Sequence, residues 1–175
     1  ELRWSKIEIW LSVNVITKEE KIDQLAKIEV FRELSAEDRA FLSAYMQERS
    51  YPRSTMIYNP GEPTDWVYFV MEGVVKTGTF SEEGKESIKN ILYVGEMFGE
   101  LGLSGLTERP DFASTLKSKA TVARIPVKII RELINRNAEV GLKMIEKLGE
   151  RISRSEKRLE RLIFDDARTR IIAFL

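Results

Sequence analysis

The stretch from Tyr51 to Pro126 constrains the fold more than any other part of the chain. Its apolar segments are short, rich in Val, Ile, Tyr, Phe and Thr, and cut by Pro and Gly at intervals too small for helices. Trp66 to Met71 and Val74 to Phe80 read as strands around Glu72-Gly73, and Ser81-Glu82-Glu83-Gly84 closes a hairpin into Glu86 to Val94. Further strands run near Phe112 to Leu116 and Thr121 to Ile125. Asn59-Pro60-Gly61-Glu62 suits a type II turn, in which Pro sets φ and Gly accepts the positive φ that follows. Seven or eight strands in roughly 75 residues, with no helix-length insert except around Gly99, predict an antiparallel roll or sandwich. A parallel βαβ sheet is excluded by the same spacing.

Helical patterns flank this region. Thr17 followed by Glu20 forms a capping box for a helix through Ile22, Leu25 and Ala26, and Ser35 with Asp38 caps a second, with Phe41, Leu42, Tyr45 and Met46 as its apolar face. From Ile129 onward the helical period returns. The expected fold class is α+β, mainly β: an antiparallel, jelly-roll-like β-roll flanked by N-terminal helices and a long C-terminal helix. Its expected core holds Phe31, Leu34, Phe41, Leu42, Ile57, Val67, Phe69, Val74, Ile91, Phe98, Leu101, Leu103, Phe112, Val122 and Ile125. Trp66 reads as an ordinary strand-face aromatic; Trp4 and Trp10 lie in an N-terminal extension.

In the last helix, Ile145, Leu148, Ile152, Ser155, Leu159 and Leu162 are separated by 3, 4, 3, 4 and 3 residues, a heptad seam. Charged residues surround it on every other side. A solvated helix packed on its own domain is one reading, but so narrow a stripe suits a second helix better than a broad sheet face, which predicts a homodimer paired through residues 137–163. The chain stops at Ile171-Ile172-Ala173-Phe174-Leu175, inside an apolar helical pattern with no cap, which reads as a truncation.

Composition removes most catalytic chemistry. With no His and no Cys, Ser-His and Cys-His catalysis, His- or Cys-based zinc, Cys-ligated iron–sulfur clusters and His-ligated haem are excluded. A roll can still host metal oxygenases, but their sites use His with a carboxylate, and no spaced acidic pair stands out, so no enzyme is expected. Lys plus Arg equal Asp plus Glu at 28 each, so the whole chain is no polyelectrolyte nucleic-acid binder. The apolar run Ile7–Ile16 is broken by Glu8, Ser12 and Asn14 and falls short of the ~20 residues of a membrane helix. No membrane partner is expected.

A P-loop would need Gly where Thr79 stands, and Gly99, Gly102 and Gly105 do not have dinucleotide spacing. What remains is Gly95-Glu96-Met97-Phe98-Gly99-Glu100-Leu101-Gly102-Leu103 and, beyond a short loop, Arg109. A strand that runs into Gly99 and turns into a short helical segment would aim the backbone N–H groups of about residues 99 to 103, Glu100 and Leu101 among them, at one anion. Arg109 would add a bidentate contact to a phosphate, with Glu100 accepting from a sugar hydroxyl. The alternative is that the glycines shape a corner of the roll and Arg109 pairs with Glu108, Asp111 or Glu100.

The ordered run of Phe31-Arg32-Glu33-Leu34, Ile57-Tyr58-Asn59-Pro60-Gly61-Glu62-Pro63, Tyr68 to Lys76, Phe98-Gly99-Glu100-Leu101 and Arg109 resembles the cyclic-nucleotide-binding domain of the catabolite-activator and fumarate-nitrate-regulator (Crp/Fnr) superfamily, over about residues 25 to 175. Phe164 to Leu175 is similar to the hinge and first helix that lead into that family's helix-turn-helix domain. The resemblance divides the chain into an N-terminal helical extension (1–27), a β-roll (28–130), a dimerisation helix (131–164) and the start of a DNA-binding domain otherwise absent (165–175). It implies that Gly99 and Glu100 match the phosphate cassette and its ribose-binding carboxylate, that Arg109 matches the phosphate-binding arginine, and that Ser155 matches the dimer-helix position that reaches the purine. It further implies a cytoplasmic bacterial transcription regulator whose partners are a small-molecule effector, promoter DNA and RNA polymerase. No resident cofactor follows from it.

The match departs from the family at Pro110, at Asp111 and at Glu156, which stands where the family offers a second hydroxyl from the partner chain. Cyclic-AMP binders of the family carry a small or hydroxylated residue and then Ala after the arginine; here stand Pro110, which offers no N–H or hydroxyl, and Asp111, which brings negative charge. These departures weaken cyclic AMP as the effector without removing it, and the choices are a cyclic nucleotide, another small anion or organic ligand, or a scaffold that binds nothing. The other function class is a stand-alone cyclic-nucleotide-binding or interaction module without a DNA role.

Overall fold

The structure, a computed structural model, describes residues 17–172, and within that span the side chains of all but Lys18, Leu162 and residues 165–172. The expectations for Trp4, Trp10 and Ile7–Ile16 therefore lie outside the described residues, as does that for the side chain of Leu162. The chain divides into two compact units, one ending at Leu133 and the other beginning at Ile134.

The first unit opens with helix α1 (Lys18–Leu25), started by the expected capping box: Glu20 N–H donates to Thr17 Oγ1 at 3.2 Å, and Thr17 N–H donates to the Glu20 carboxylate at 2.8 Å. A 3₁₀ turn at Glu29–Phe31 leads to α2 (Ala36–Tyr45), capped by Ser35, whose hydroxyl accepts from Asp38 N–H at 3.1 Å. Leu42 and Met46 are fully buried, but Phe41 is half-buried and Tyr45 exposed, so the buried stripe of α2 is narrower than its sequence implies. Their rings meet edge to face at 5.5 Å and cover one another instead.

Eight strands follow: β1 (Gln47–Tyr51), β2 (Met56–Tyr58), β3 (Trp66–Glu72), β4 (Val75–Phe80), β5 (Glu86–Leu92), β6 (Met97–Phe98), β7 (Phe112–Thr115) and β8 (Ala120–Pro126). They form two four-stranded antiparallel sheets, in the orders β1-β8-β3-β6 and β2-β7-β4-β5. This is the roll that the turn spacing requires. β3 and β4, adjacent in sequence, fall in different sheets; Gly73, at φ +80°, carries the chain across, where a Cβ would meet the backbone of Lys119 and Ala120. The Asn59–Glu62 turn forms as expected, with Gly61 at φ +82° and Glu62 N–H donating to Asn59 O at 3.3 Å.

Between the sheets Tyr68 stacks on Phe98 at 5.1 Å and Tyr58 on Phe98 at 6.2 Å, over Val70, Val75, Leu92 and Val122. Phe31 and Phe69 pair at 4.9 Å and are both fully buried. Two expected core residues lie outside: Ile91 is 42% exposed on the outer face of edge strand β5, where Leu92 takes the inward position, and Leu101 is 37% exposed because Gly102 faces inward in its place. Ile57, Val74 and Leu103 are half-buried. Trp66 is a strand-face aromatic with the Arg124 guanidinium 4.1 Å above its ring.

Helix α3 (Val127–Arg136) buries Ile129, Ile130 and Leu133. Helix α4 (Ala138–Ile172) has 35 residues, about 50 Å at 1.5 Å per residue. Along it Val140 and Met144 are buried, whereas Ile145, Ile152 and Leu159 are 66, 60 and 59% exposed. Leu148 between them is half-buried, so the described part of the heptad seam is a largely open apolar stripe, interrupted by Ser155.

Candidate anion-binding site

The site is built on a two-residue strand. β6 pairs with β3 through Tyr68–Phe98 and Phe69–Met97, and the chain then reverses at Gly99, which is left-handed at φ +70°. A 3₁₀ turn over Glu100–Ser104 follows, as expected of a strand that ends in a short helical segment. A Cβ on Gly99 would stand 2.7 Å from Arg109 Nη1 and 3.0 Å from Tyr68 Cδ2, so a side chain here would displace the arginine. Gly102 has a different reason: a Cβ there would overlap the Thr64 carbonyl and press on Val127.

Arg109 is 3% exposed, rare burial for a charged side chain. Its Nη2 donates to Trp66 O at 2.8 Å and its Nη1 to Gly99 O at 3.4 Å. The guanidinium lies 4.0 Å above the Tyr58 ring and 5.2 Å from that of Tyr68, faces that attract a cation. The segment that carries it is held by the main chain: Arg109 N–H donates to Glu62 O at 2.8 Å, Gly61 N–H to Arg109 O at 2.8 Å, and Thr64 N–H to Thr107 O at 3.1 Å. The Pro-Gly turn thereby grips the arginine loop.

Two carboxyl groups share this environment. Glu100, half-buried, opens the 3₁₀ turn, and Asp111, also half-buried, accepts a long hydrogen bond of 3.4 Å from Tyr58 Oη. Burial raises the Asp111 pKa above the ordinary carboxylate value; Lys89 pulls it down, Glu100 pushes it up, and Arg109 and the Tyr58 hydrogen bond pull it down. Burial likewise raises the Tyr58 phenol, helped by the charge of Asp111 and opposed by Arg109. Neither tyrosine ionises near neutral pH, since burial raises Tyr68 as well.

Gly99, Glu100, Leu101 and Arg109 are therefore brought together at one corner of the roll. Ser155 lies in the second unit, exposed on α4, with its hydroxyl donating to Arg151 O at 3.0 Å. Sequence reasoning missed Tyr58, Tyr68 and the carbonyl of Trp66, although the position of Tyr58 just before the Pro-Gly turn was a usable signal. It also missed Arg131 on α3, whose Nη2 donates to Leu103 O at 2.9 Å and Gly102 O at 3.3 Å and ties the far end of the 3₁₀ turn to that helix. No spacing rule marks such a contact. Among the described residues, no group of three or more His, Cys, Asp or Glu could hold a metal ion, and no helix is long and apolar enough to cross a membrane.

Comparison with known proteins agrees with this geometry. Residues 48–137, just over half of the chain, match the family described as the cyclic nucleotide-binding domain. The CRP-like cAMP-activated global transcriptional regulator of Mycobacterium tuberculosis is 28% identical over 147 residues, 84% of this chain and 65% of that protein. The cAMP-activated global transcriptional regulator CRP of Haemophilus influenzae is 32% identical over 123 residues, 69% of this chain and 54% of that protein. The chain thus spans about two thirds or less of the length of these regulators. Among solved structures, the catabolite activator protein of Thermus thermophilus superposes with a TM-score of 0.65 at 27% identity, over 81% of this chain and 66% of that one. The sensor domain of the regulator DNR from Pseudomonas aeruginosa shares the fold, with a TM-score of 0.68 at 19% identity, over 82% of this chain and 93% of that one. A β-roll whose strand-to-3₁₀ corner faces a buried arginine, in a chain with these relatives, belongs to the cyclic nucleotide-binding domain family, in the form of the sensor domain of Crp/Fnr-type regulators.

Proposed function

We propose that this chain is the effector-sensing and dimerisation region of a Crp/Fnr-type bacterial transcription regulator. A small anionic effector of cyclic-nucleotide type is bound at the Gly99–Ser104 turn, with its phosphate at the backbone N–H groups of Glu100 and Leu101 and at Arg109. Glu100 accepts from the sugar, and Ser155 contributes from the dimer helix. The observation that carries this reading is the burial of Arg109 against Gly99. A guanidinium has five N–H donors, and two hydrogen bonds to carbonyls leave others for an anion.

Two copies pair through residues 137–163, supported by the open apolar stripe of Ile145, Ile152 and Leu159. Effector binding in the roll (28–130) biases the pairing or orientation of the dimerisation helices (131–164), and residues 165–175 lead into a helix-turn-helix, outside this chain, that reads promoter DNA beside RNA polymerase in the cytoplasm. Coupling of about 1–3 kcal/mol between effector and DNA affinity is typical of such allostery. The relatives, themselves transcriptional regulators of greater length, support this role over an enzymatic one.

Calorimetric titration with cyclic AMP and cyclic GMP tests the proposal, with Arg109→Ala and the charge-preserving Arg109→Lys alongside. Saturable micromolar binding, abolished in Arg109→Ala and weakened in Arg109→Lys, is expected. Absence of heat at millimolar nucleotide, with the protein folded, would overturn the nucleotide assignment.

A further inference from the structure

Asp111 stands two residues past the arginine, and the group next to it in sequence, Pro110, has no N–H to give. The arrangement around Asp111 is drawn from several elements: Tyr58 Oη at the end of β2, Lys89 on β5, Glu100 at the head of the 3₁₀ turn, and Arg109 itself. A half-buried carboxylate beside the cation that is to receive an anion acts as a built-in competitor for it. Ionised, it offers only acceptors and repels a phosphodiester; protonated, it offers one O–H donor. We propose that Asp111 is the specificity-determining residue of the anion site, and that a phosphodiester enters only with a proton on the Asp111 carboxyl.

One proton is then taken from solvent for each anion bound, and it resides on an Asp111 oxygen. The other charged neighbours do not supply this behaviour. Burial keeps the phenols of Tyr58 and Tyr68 neutral across the range, and Glu100 is left intact in the test below. The direction of the Asp111 pKa supports the idea, because burial already favours the neutral form before any anion arrives. The inference rests on the nucleotide reading above and adds to it a requirement for acid.

The experiment uses cyclic AMP, whose phosphodiester keeps one charge across the range, from about pH 5 to about pH 8. Once the pH exceeds the Asp111 pKa, the affinity of the natural protein should fall about tenfold per pH unit, as the binding-competent protonated fraction shrinks. Calorimetry in buffers of different ionisation enthalpy should register uptake of close to one proton at the upper end. Asp111→Asn carries a permanent donor in place of the protonated acid, so its affinity should be flat with pH and exceed that of the natural protein at pH 8 by about tenfold or more. A role in folding alone would move neither the pH profile nor the proton count.

Equal, flat profiles in the two proteins, with no proton uptake, would overturn this inference while leaving nucleotide binding in place. Failure of both proteins to bind cyclic AMP at every pH would overturn the nucleotide reading and this inference with it.

Discussion

The roll and the long helix handle apolar side chains in opposite ways. In the roll, nearly every large apolar residue of the central strands is sealed: Val67, Phe69, Val75, Phe112 and Ile125 are fully buried, and three aromatic rings stack between the sheets. Along α4 Ile145, Ile152 and Leu159 of the heptad seam stand more than half exposed. The roll satisfies its own hydrophobic demand, whereas the stripe on α4 has area that only another surface can cover. A single sequence can therefore contain one region whose apolar residues its own contacts cover and another whose apolar stripe they leave exposed.

That contrast can be broken most forcefully in the roll. Phe69→Ala should lower the unfolding free energy by about 3–5 kcal/mol, read from the denaturant midpoint, because it removes a fully buried ring and its contact with Phe31. A loss below about 1 kcal/mol would show that the roll is packed far more loosely than its burial implies. On the helix, Ile152→Asp should weaken self-association at least tenfold, about 1.4 kcal/mol, in sedimentation equilibrium. The near-ultraviolet signal of the stacked aromatics in the roll should persist. Unchanged association would assign the stripe to something other than a second copy. The smallest effect is expected at the edge of the roll, where Ser35→Ala removes the cap of α2 and should cost about 1 kcal/mol, with no change in association.

The legibility of the fold follows the same division. Caps and turns are local chemistry, so Thr17, Ser35, Gly61 and Gly84 could be read directly and stand where their side chains or φ angles require. The sheet to which each strand belongs is not local. Trp66–Glu72 and Val75–Phe80 flank a single glycine and look like a hairpin, yet each pairs with strands far along the chain. Burial misled wherever an apolar residue sits on an edge: Ile91 lies on the last strand of its sheet, and Leu101 on a turn whose inner position is taken by a glycine. At the candidate site the chemistry-bearing residues were legible as types at a spacing. The cradle was not, because it consists of the carbonyls of Trp66 and Gly99 and the faces of Tyr58 and Tyr68, which leave no signature of their own.

The main-chain grip between the Pro60-Gly61 turn and the Arg109 loop has a consequence for how such a site changes over time. The backbone of Arg109 is fixed by Gly61 N–H and Glu62 O, while its guanidinium is fixed by the carbonyls of Trp66 and Gly99 and by the faces of Tyr58 and Tyr68. Of these contacts only the two aromatic faces are side chains, so most of the hold on the arginine is main chain. Neither the Pro110 nor the Asp111 side chain is among these contacts, so exchange at either position alters what stands beside the positive charge before it alters where that charge stands.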